Sequence, residues 1–228
     1  MAEGSWASLS VSHSMVLIPY GGFERHALDG THWFFTGRLP EELLLDQSRF
    51  EALWNLHPEQ YHEIMMHGRL VKTPRWQQTY GSAYRYTGRV NEAKPPPLLV
   101  EPFLNWVKTT IDRQSNGILL NWYDGRLRHY IGAHRDSREQ MVVGSPIVTI
   151  SLGEDRIFRL RPWKTPGFRD FPASNGTVFI MPYETNLAWK HEVPHAPRYQ
   201  GRRISITLRA FTDGRSEVGH LRSAKGLG

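Results

Sequence analysis

The C-terminal half of the chain restricts the fold more than any other feature. From Gly117 onward come "ILLNWY", "IVTISLG", "RIFRLRP", "GTVFIMP" and "RRISITLRAF", each short and rich in β-branched or aromatic residues. Such segments hold their shape only by pairing. A run of turn-bounded strands after helical segments closes into a sandwich or jelly roll. Period two is plain in the last of them: Ile204, Ile206 and Leu208 fall on one face, Ser205 and Thr207 on the other. Arg203 and Arg209 share the parity of Ser205, so both guanidiniums project away from the aliphatic face. Two arginines aimed into a sandwich are costly unless they meet anions. A dicarboxylate satisfies both through bidentate contacts. The competing reading of the pair is two solvated residues on an edge strand.

The segments upstream read as helices and mixed structure. Val16 to Gly37 alternates apolar stretches with Gly21-Gly22 and Gly30 breaks, which predicts strands and turns. "LPEELLLDQSRFEALWNLHP" predicts a helix starting at Pro40 with two glutamates, its apolar residues at Leu43, Leu44, Phe50, Leu53 and Trp54. "YHEIMMHGRLVKTPRWQQTYGSAYRYTG" reads as strand and loop with basic and aromatic residues interleaved, and "LVEPFLNWVKTTIDRQ" as a second helix. The expected class is α+β, a jelly-roll core buttressed by N-terminal helices. One domain over 16–212 accounts for the pattern, between a flexible N-terminus (1–15) and a flexible tail (213–228).

Composition narrows the chemistry. The chain has no cysteine, which excludes disulfides, zinc–thiolate sites and thiol catalysis. A metal here takes nitrogen and oxygen ligands, which suits iron, manganese or magnesium. No apolar run reaches the length of a membrane span, and the N-terminus lacks the pattern of a secretory signal. No membrane partner is therefore expected. A net charge of +6 and a pI near 9.7 would concentrate polyanions at the surface, although the same charge serves ordinary solubility.

"HYIGAHRDSREQ" holds the second constellation. On an extended segment His134 and Asp136 point to the same side and offer an imidazole and a carboxylate to one metal ion. A third ligand would complete a two-histidine, one-carboxylate triad with open positions for a chelating cosubstrate and dioxygen. Alone, H-x-D is more often a surface turn. "WKHEVPHAPRYQGRRISITLRAF" changes the weighing, because His191 is followed by Arg203 twelve residues on and Arg209 six further. A kinase reading of His-Arg-Asp fails: there is no Gly-rich phosphate loop, no D-F-G, and Met141 stands where asparagine is required.

"NWYDGRLRHYIGAHRD", "GSPIVTISLG", "HEVP" and "RRISITLR" together resemble the AlkB-like branch of the iron(II), 2-oxoglutarate-dependent dioxygenases, over roughly Gly37 to Phe211. "TPRWQQTYG" is similar to the segment before the active site in homologues that repair duplex DNA. The resemblance implies a double-stranded β-helix, with iron(II) on His134, Asp136 and His191. His195 is a second candidate by residue type, but only His191 has the family's spacing to the arginines. It implies 2-oxoglutarate held by Asn121, Tyr123, Arg203 and Arg209, beside Ser205, with dioxygen as the other cosubstrate. The implied reaction is oxidative demethylation of N-alkylated bases in DNA, and also in RNA, releasing formaldehyde, succinate and carbon dioxide. The implied protein is a monomer inside the cell, cytoplasmic in a prokaryote or virus and nuclear in a eukaryote.

The resemblance also implies a substrate-recognition lid over about residues 60–92. Tyr84 and Tyr86 would lie over the flipped base, supported by Trp76 or Tyr80 and bordered by Ser137 and Arg138. Met66 and His67 would insert into the strand. Arg69, Lys72, Arg75, Arg85 and Arg89 would meet the phosphate backbone. Several positions depart from the family pattern. "MMHG" replaces an aromatic wedge, Ser137-Arg138 stands where repair members carry acids, and Ser205 stands where relatives often place asparagine. The loop between Asn121 and His134 is a residue or two longer. The same chemistry on an RNA modification, a protein or a small molecule is the alternative. A catalytically silent nucleic-acid-binding module is a third reading.

Overall fold

The computed structural model describes residues 20–66, 68–82, 84–86, 89–91 and 94–212, with backbone alone at 66, 84–86 and 89–91. The two expected flexible ends, 1–15 and 213–228, lie outside these residues. In chain order the elements begin with β1 (Glu24–Ala27), β2 (Trp33–Arg38), a 3-10 turn (Glu41–Leu43) and α1 (Gln47–Trp54). Next are β3 (Glu63–Met66), β4 (Arg69–Lys72), β5 (Trp76–Gly81), β6 (Tyr84–Tyr86), β7 (Arg89–Asn91) and α2 (Glu101–Thr110). Then follow β8 (Gly117–Asp124), β9 (Ile131–His134), β10 (Ile147–Gly153), β11 (Arg156–Pro162) and β12 (Arg169–Ala173). The last are β13 (Thr177–Met181), α3 (Tyr183–Ala188), β14 (Trp189–Val193) and β15 (Arg202–Arg209).

The strands form a jelly roll of two antiparallel sheets. The larger has the order β1-β2-β13-β10-β15-β8-β5, the smaller β12-β11-β14-β9. β15 lies between β10 and β8, where Ile206 opposes Ile150 on one side and Leu120 on the other. Their aliphatic side chains, with Val148, Leu208 and Trp122, form a core under Leu53 of α1 and Phe103 and Val107 of α2. The Trp122 indole donates to the Leu53 carbonyl at 3.0 Å, tying the end of α1 to β8. A second core fills one end of the space between the sheets, where Phe158 stacks on Phe179 at 4.6 Å. The other end of that space carries the polar residues of opposite parity.

One helical expectation is corrected, and one helix is additional. The predicted helix from Pro40 is a 3-10 turn followed by an eight-residue helix that starts only at Gln47. Asp46 accounts for the later start, since its carboxylate accepts from the Arg49 amide at 2.8 Å as an N-cap. α3 was not anticipated, although Pro182 and Glu184 at its start are ordinary helix-opening residues.

The candidate lid opens as a hairpin. β3 and β4 pair with Met66 opposite Arg69, and Gly68 adopts φ +77° in the turn between them. Every residue of β4 is exposed. The chain entering this hairpin is pinned by an aromatic cluster. Trp76 stacks on His57 at 4.2 Å and on Tyr61 at 5.6 Å. Trp76 therefore faces the helices rather than the base pocket expected for it, and Tyr80, of the same parity, is buried in the helix-side core. Period two along β5 is the reason, because it sends Gln77 to the opposite face.

His129 closes the cluster. Its Nδ1 accepts from the Asp124 amide at 3.2 Å, which leaves the ring proton on Nε2 to donate to the Tyr61 hydroxyl oxygen at 2.9 Å. Burial lowers its pKa, with the Trp122 carbonyl and Asp124 opposing. As pH falls through about 6.5 the unfolded chain takes up this proton before the folded one. The neutral imidazole's contribution is thus complete above that pH and lost as pH descends toward the lower folded value. Melting temperature is expected to fall between about pH 7.5 and about pH 5.5, and to fall less in His129→Phe. Equal slopes in thermal denaturation would contradict this.

Candidate active site

The smaller sheet assembles the metal ligands. β9 and β14 are neighbours, and their register sets His134 directly opposite His191. Asp136 follows two residues after the end of β9. Ligand atoms of His134, Asp136 and His191 all lie within 4.8 Å of one another. The carboxylate Oδ1 is 3.5 Å from His134 Nε2 and 3.7 Å from His191 Nε2. His134 Nδ1 donates to the Gly132 carbonyl at 2.9 Å, which leaves Nε2 as a lone-pair donor to a metal. His191 is held by packing, its ring parallel to Phe158 at 5.6 Å. Asn186 of α3 clamps the Asp136 backbone, accepting from its amide and donating to its carbonyl, both at 3.0 Å.

The charges around these ligands favour metal binding. Burial would raise the Asp136 carboxyl, but Arg209, whose Nη2 is 2.6 Å from Oδ2, and the two histidines outweigh it. The group is held well below the usual carboxylate range. Burial and the neighbouring His134 push His191 down to about 3, with Asp136 opposing. At neutral pH Asp136 is therefore a carboxylate and His191 neutral, so neither has a proton to lose when a cation binds. Two imidazole nitrogens and one carboxylate oxygen, all converging, form a donor set that fits iron(II).

The larger sheet supplies the wall facing these ligands. Arg203 is 0% exposed; its Nε donates to Ser151 Oγ at 2.9 Å and its guanidinium lies 5.0 Å from the Tyr123 ring. Its Nη1 and Nη2 are buried without a partner among the described residues. Burial disfavours the charged guanidinium, with the Tyr123 phenol opposing. A buried cationic fork with both tips free is built for a carboxylate. Arg203, Ser205 and Arg209 line one cavity with Asn121, Tyr123 and the three metal-ligand residues. The residues present fit 2-oxoglutarate between Arg203 and the triad.

Other expected residues fall in varied places. Ser137 lines the cavity and is exposed, and Arg138 is exposed beside it. His195 is exposed, its ring 5.7 Å from Tyr130, outside the ligand cluster. Arg69 and Lys72 are exposed on β4. Arg75, expected on the phosphate backbone, is 4% exposed and lines the cavity instead. It donates to Asn121 Oδ1 at 2.7 Å and to Gln77 Oε1 at 2.8 Å, contacts that turn it inward. Tyr84 and Tyr86, with Arg85, sit on β6 and Arg89 on β7, a paired hairpin whose side chains are outside the described set. His67 and the Met66 side chain are outside it as well. Ser151, Gln77 and Asn186 carry no expected role from sequence. Ser151 was within reach, since "IVTISLG" alternates and Ser151 pairs with Ser205.

A jelly roll with a two-histidine, one-carboxylate cluster and a buried arginine is the frame of an iron(II) oxygenase. The model of the 2OG-Fe(II) oxygenase superfamily matches residues 40–209, and the chain belongs to that superfamily. Iron(II), 2-oxoglutarate and dioxygen are its cofactor and cosubstrates. Within it the chain is AlkB-like. It is 30% identical over 157 residues to human DNA oxidative demethylase ALKBH2, covering 64% of this chain and 60% of that protein. It is 27% identical over 161 residues to the rat alpha-ketoglutarate-dependent dioxygenase alkB homolog 3, covering 64% and 53%. The match therefore spans less than two thirds of these relatives. The solved structure titled "The structure of OsALKBH1" shares the fold, with a TM-score of 0.52 at 14% identity over 82% of this chain and 100% of that one. Among the described residues no helix is long and apolar enough to cross a membrane.

Arg203→Met keeps the volume but removes the charged fork. Loss of charge-assisted bonds worth about 1.5–3 kcal/mol corresponds to a roughly tenfold to hundredfold weaker affinity for 2-oxoglutarate. Calorimetric titration of the iron(II)-loaded protein without oxygen reads this directly, and unchanged affinity would remove Arg203 from the role.

Proposed function

We propose that this protein removes N-alkyl groups from bases in nucleic acid by iron(II)- and 2-oxoglutarate-dependent oxidation, with DNA favoured over RNA. The observation that carries the reading is the cavity in which His134, Asp136 and His191 face the unpartnered tips of Arg203. Similarity to a DNA oxidative demethylase supplies the substrate class. When bound, iron(II) couples oxidation of 2-oxoglutarate to succinate and carbon dioxide with oxidation of an N-methyl group, which leaves as formaldehyde.

The chain's own residues hold the reactants. Arg203, with Asn121 and Tyr123, binds the distal carboxylate of 2-oxoglutarate, and Arg209 lies at the metal end against Asp136. Ser205, opposite Asn121 in register, leaves room beside the cosubstrate. A base reaches the ligands only after leaving its stack. Ser137 and Arg138 stand on the entry side; Tyr84 and Tyr86 clamp the base. The β3–β4 hairpin presents Arg69 and Lys72 to phosphates, with Arg85 and Arg89 from the next hairpin. Met66 and His67 fill the gap left by the base, a task open to methionine. The net charge of +6 assists approach to a polyanion. The protein acts as a monomer built on one domain over 16–212, inside the cell, in the nucleus if the source is eukaryotic and the cytoplasm otherwise.

Purified protein given iron(II), ascorbate and 2-oxoglutarate is expected to release formaldehyde and succinate in equal amounts from methylated oligonucleotides, single- or double-stranded, and faster from DNA than RNA. Succinate without formaldehyde from every methylated oligonucleotide would contradict the reading and point to a protein or small-molecule substrate.

A further inference from the structure

Arg75 is a buried cation that the cosubstrate reading does not use. It lines the cavity, and among the described residues its hydrogen-bond partners are two neutral amides, Asn121 and Gln77. The two acids on the lining are matched. Asp136 is held by Arg209 at 2.6 Å, and Glu192, the second acid on the lining, is held by Arg161 at 2.7 Å. Arg203 awaits the distal carboxylate of 2-oxoglutarate. Iron(II) and the cosubstrate carry equal and opposite formal charges, so the loaded cavity keeps the positive charges of Arg203 and Arg75, and only Arg203 has a carboxylate to face.

The polarity of the hydrogen-bonding groups agrees with the charge. Arginine has no acceptor atom, so its contacts fix both amides with their oxygens turned toward Arg75. Each of those oxygens already accepts from Arg75. The amide nitrogens of Asn121 and Gln77 and the remaining Arg75 nitrogen are all donors. On the entry side Ser137 follows the metal-ligating Asp136, and the nearest acid in sequence, Glu139, is exposed and does not line the cavity. Apart from Asp136 and Glu192, the described lining therefore holds no carboxylate to receive a positively charged base.

Alkylated bases divide on this property. N1-methyladenine and N3-methylcytosine are cations at neutral pH and present an exocyclic amine beside the methylated nitrogen, the cytosine with a carbonyl on its other side. N3-methylthymine and N3-methyluracil are neutral and present a carbonyl oxygen on each side of that nitrogen, and N1-methylguanine is neutral with one carbonyl and one amine there. Resting on the demethylase reading, we infer that this site selects neutral, carbonyl-bearing N-methyl bases over cationic ones, with Arg75 as the residue that sets the preference. A cation beside Arg75 is repelled and finds donors facing donors, whereas a carbonyl accepts from the same wall.

The test uses the full chain with saturating iron(II) and 2-oxoglutarate. Four single-stranded DNA oligonucleotides each carry one N3-methylthymine, N1-methylguanine, N1-methyladenine or N3-methylcytosine. Formaldehyde release is expected with a kcat/KM at least about tenfold higher for the two neutral bases. Equilibrium binding of the same oligonucleotides to the loaded protein without oxygen should rank them in the same order. Arg75→Gln, which keeps hydrogen bonding without the charge, should bring the ratio toward unity in both measurements. Cationic bases turned over as well as or better than neutral ones would overturn the inference and leave the demethylase reading intact. Turnover of none of the four would overturn both. A parent preference that persists undiminished in Arg75→Gln would overturn the role of Arg75. Should that variant fail to fold, the ratio measured on the parent still decides the substrate class.

Discussion

A guanidinium removed from solvent with two of its nitrogens unsatisfied is the constraint on which the rest of the structure depends. An uncompensated buried charge costs several kcal/mol, and Arg203 is held in that condition by the centre of the larger sheet. β15 tolerates it because the opposite parity of the same strand buries Ile204, Ile206 and Leu208 under the helices. The sheet thus has an apolar face that supplies stability and a cationic face that supplies a site. Neither is obtainable without strict register on both flanks, and β10 and β8 provide it.

The smaller sheet solves the complementary problem of concentrating ligands for a cation. His134 and His191 reach one another through strand pairing. Asp136 arrives from the turn beyond β9 and is oriented from behind by Asn186. Arg209 bridges the two halves, a cation of the larger sheet bonded to the carboxylate of the smaller one. Phe158 does the same through packing, stacked on Phe179 in the core and on His191 in the site. The metal position and the cosubstrate position are therefore set relative to each other by rigid strands rather than by loops.

Much of this was legible in the sequence, and the failures have physical causes. β15 announces its two faces because aliphatic and polar residues alternate without a break from Arg203 to Arg209. β5 does not. In "RWQQTYG" polar residues fall on both parities, so nothing in the letters says that Arg75 turns inward and Trp76 outward. Only the contacts of Arg75 with Asn121 and of Trp76 with His57 decide it. The late start of α1 was hidden by three consecutive leucines that fit a helix as well as a turn, while Asp46 carried the true boundary. The metal ligands were recognisable through residue type and family pattern, whereas Asn186 lies fifty residues beyond Asp136 with no motif to connect them.

The central claim is that His134, Asp136 and His191 form the iron site. Its most direct test is the stoichiometry and affinity of iron(II) on the oxygen-free protein, titrated by calorimetry for the parent and for Asp136→Ala. The expected result is a single iron per chain in the parent and loss of that binding in the variant, with both proteins folded by circular dichroism. Binding of iron by Asp136→Ala with unchanged stoichiometry and affinity would contradict the account.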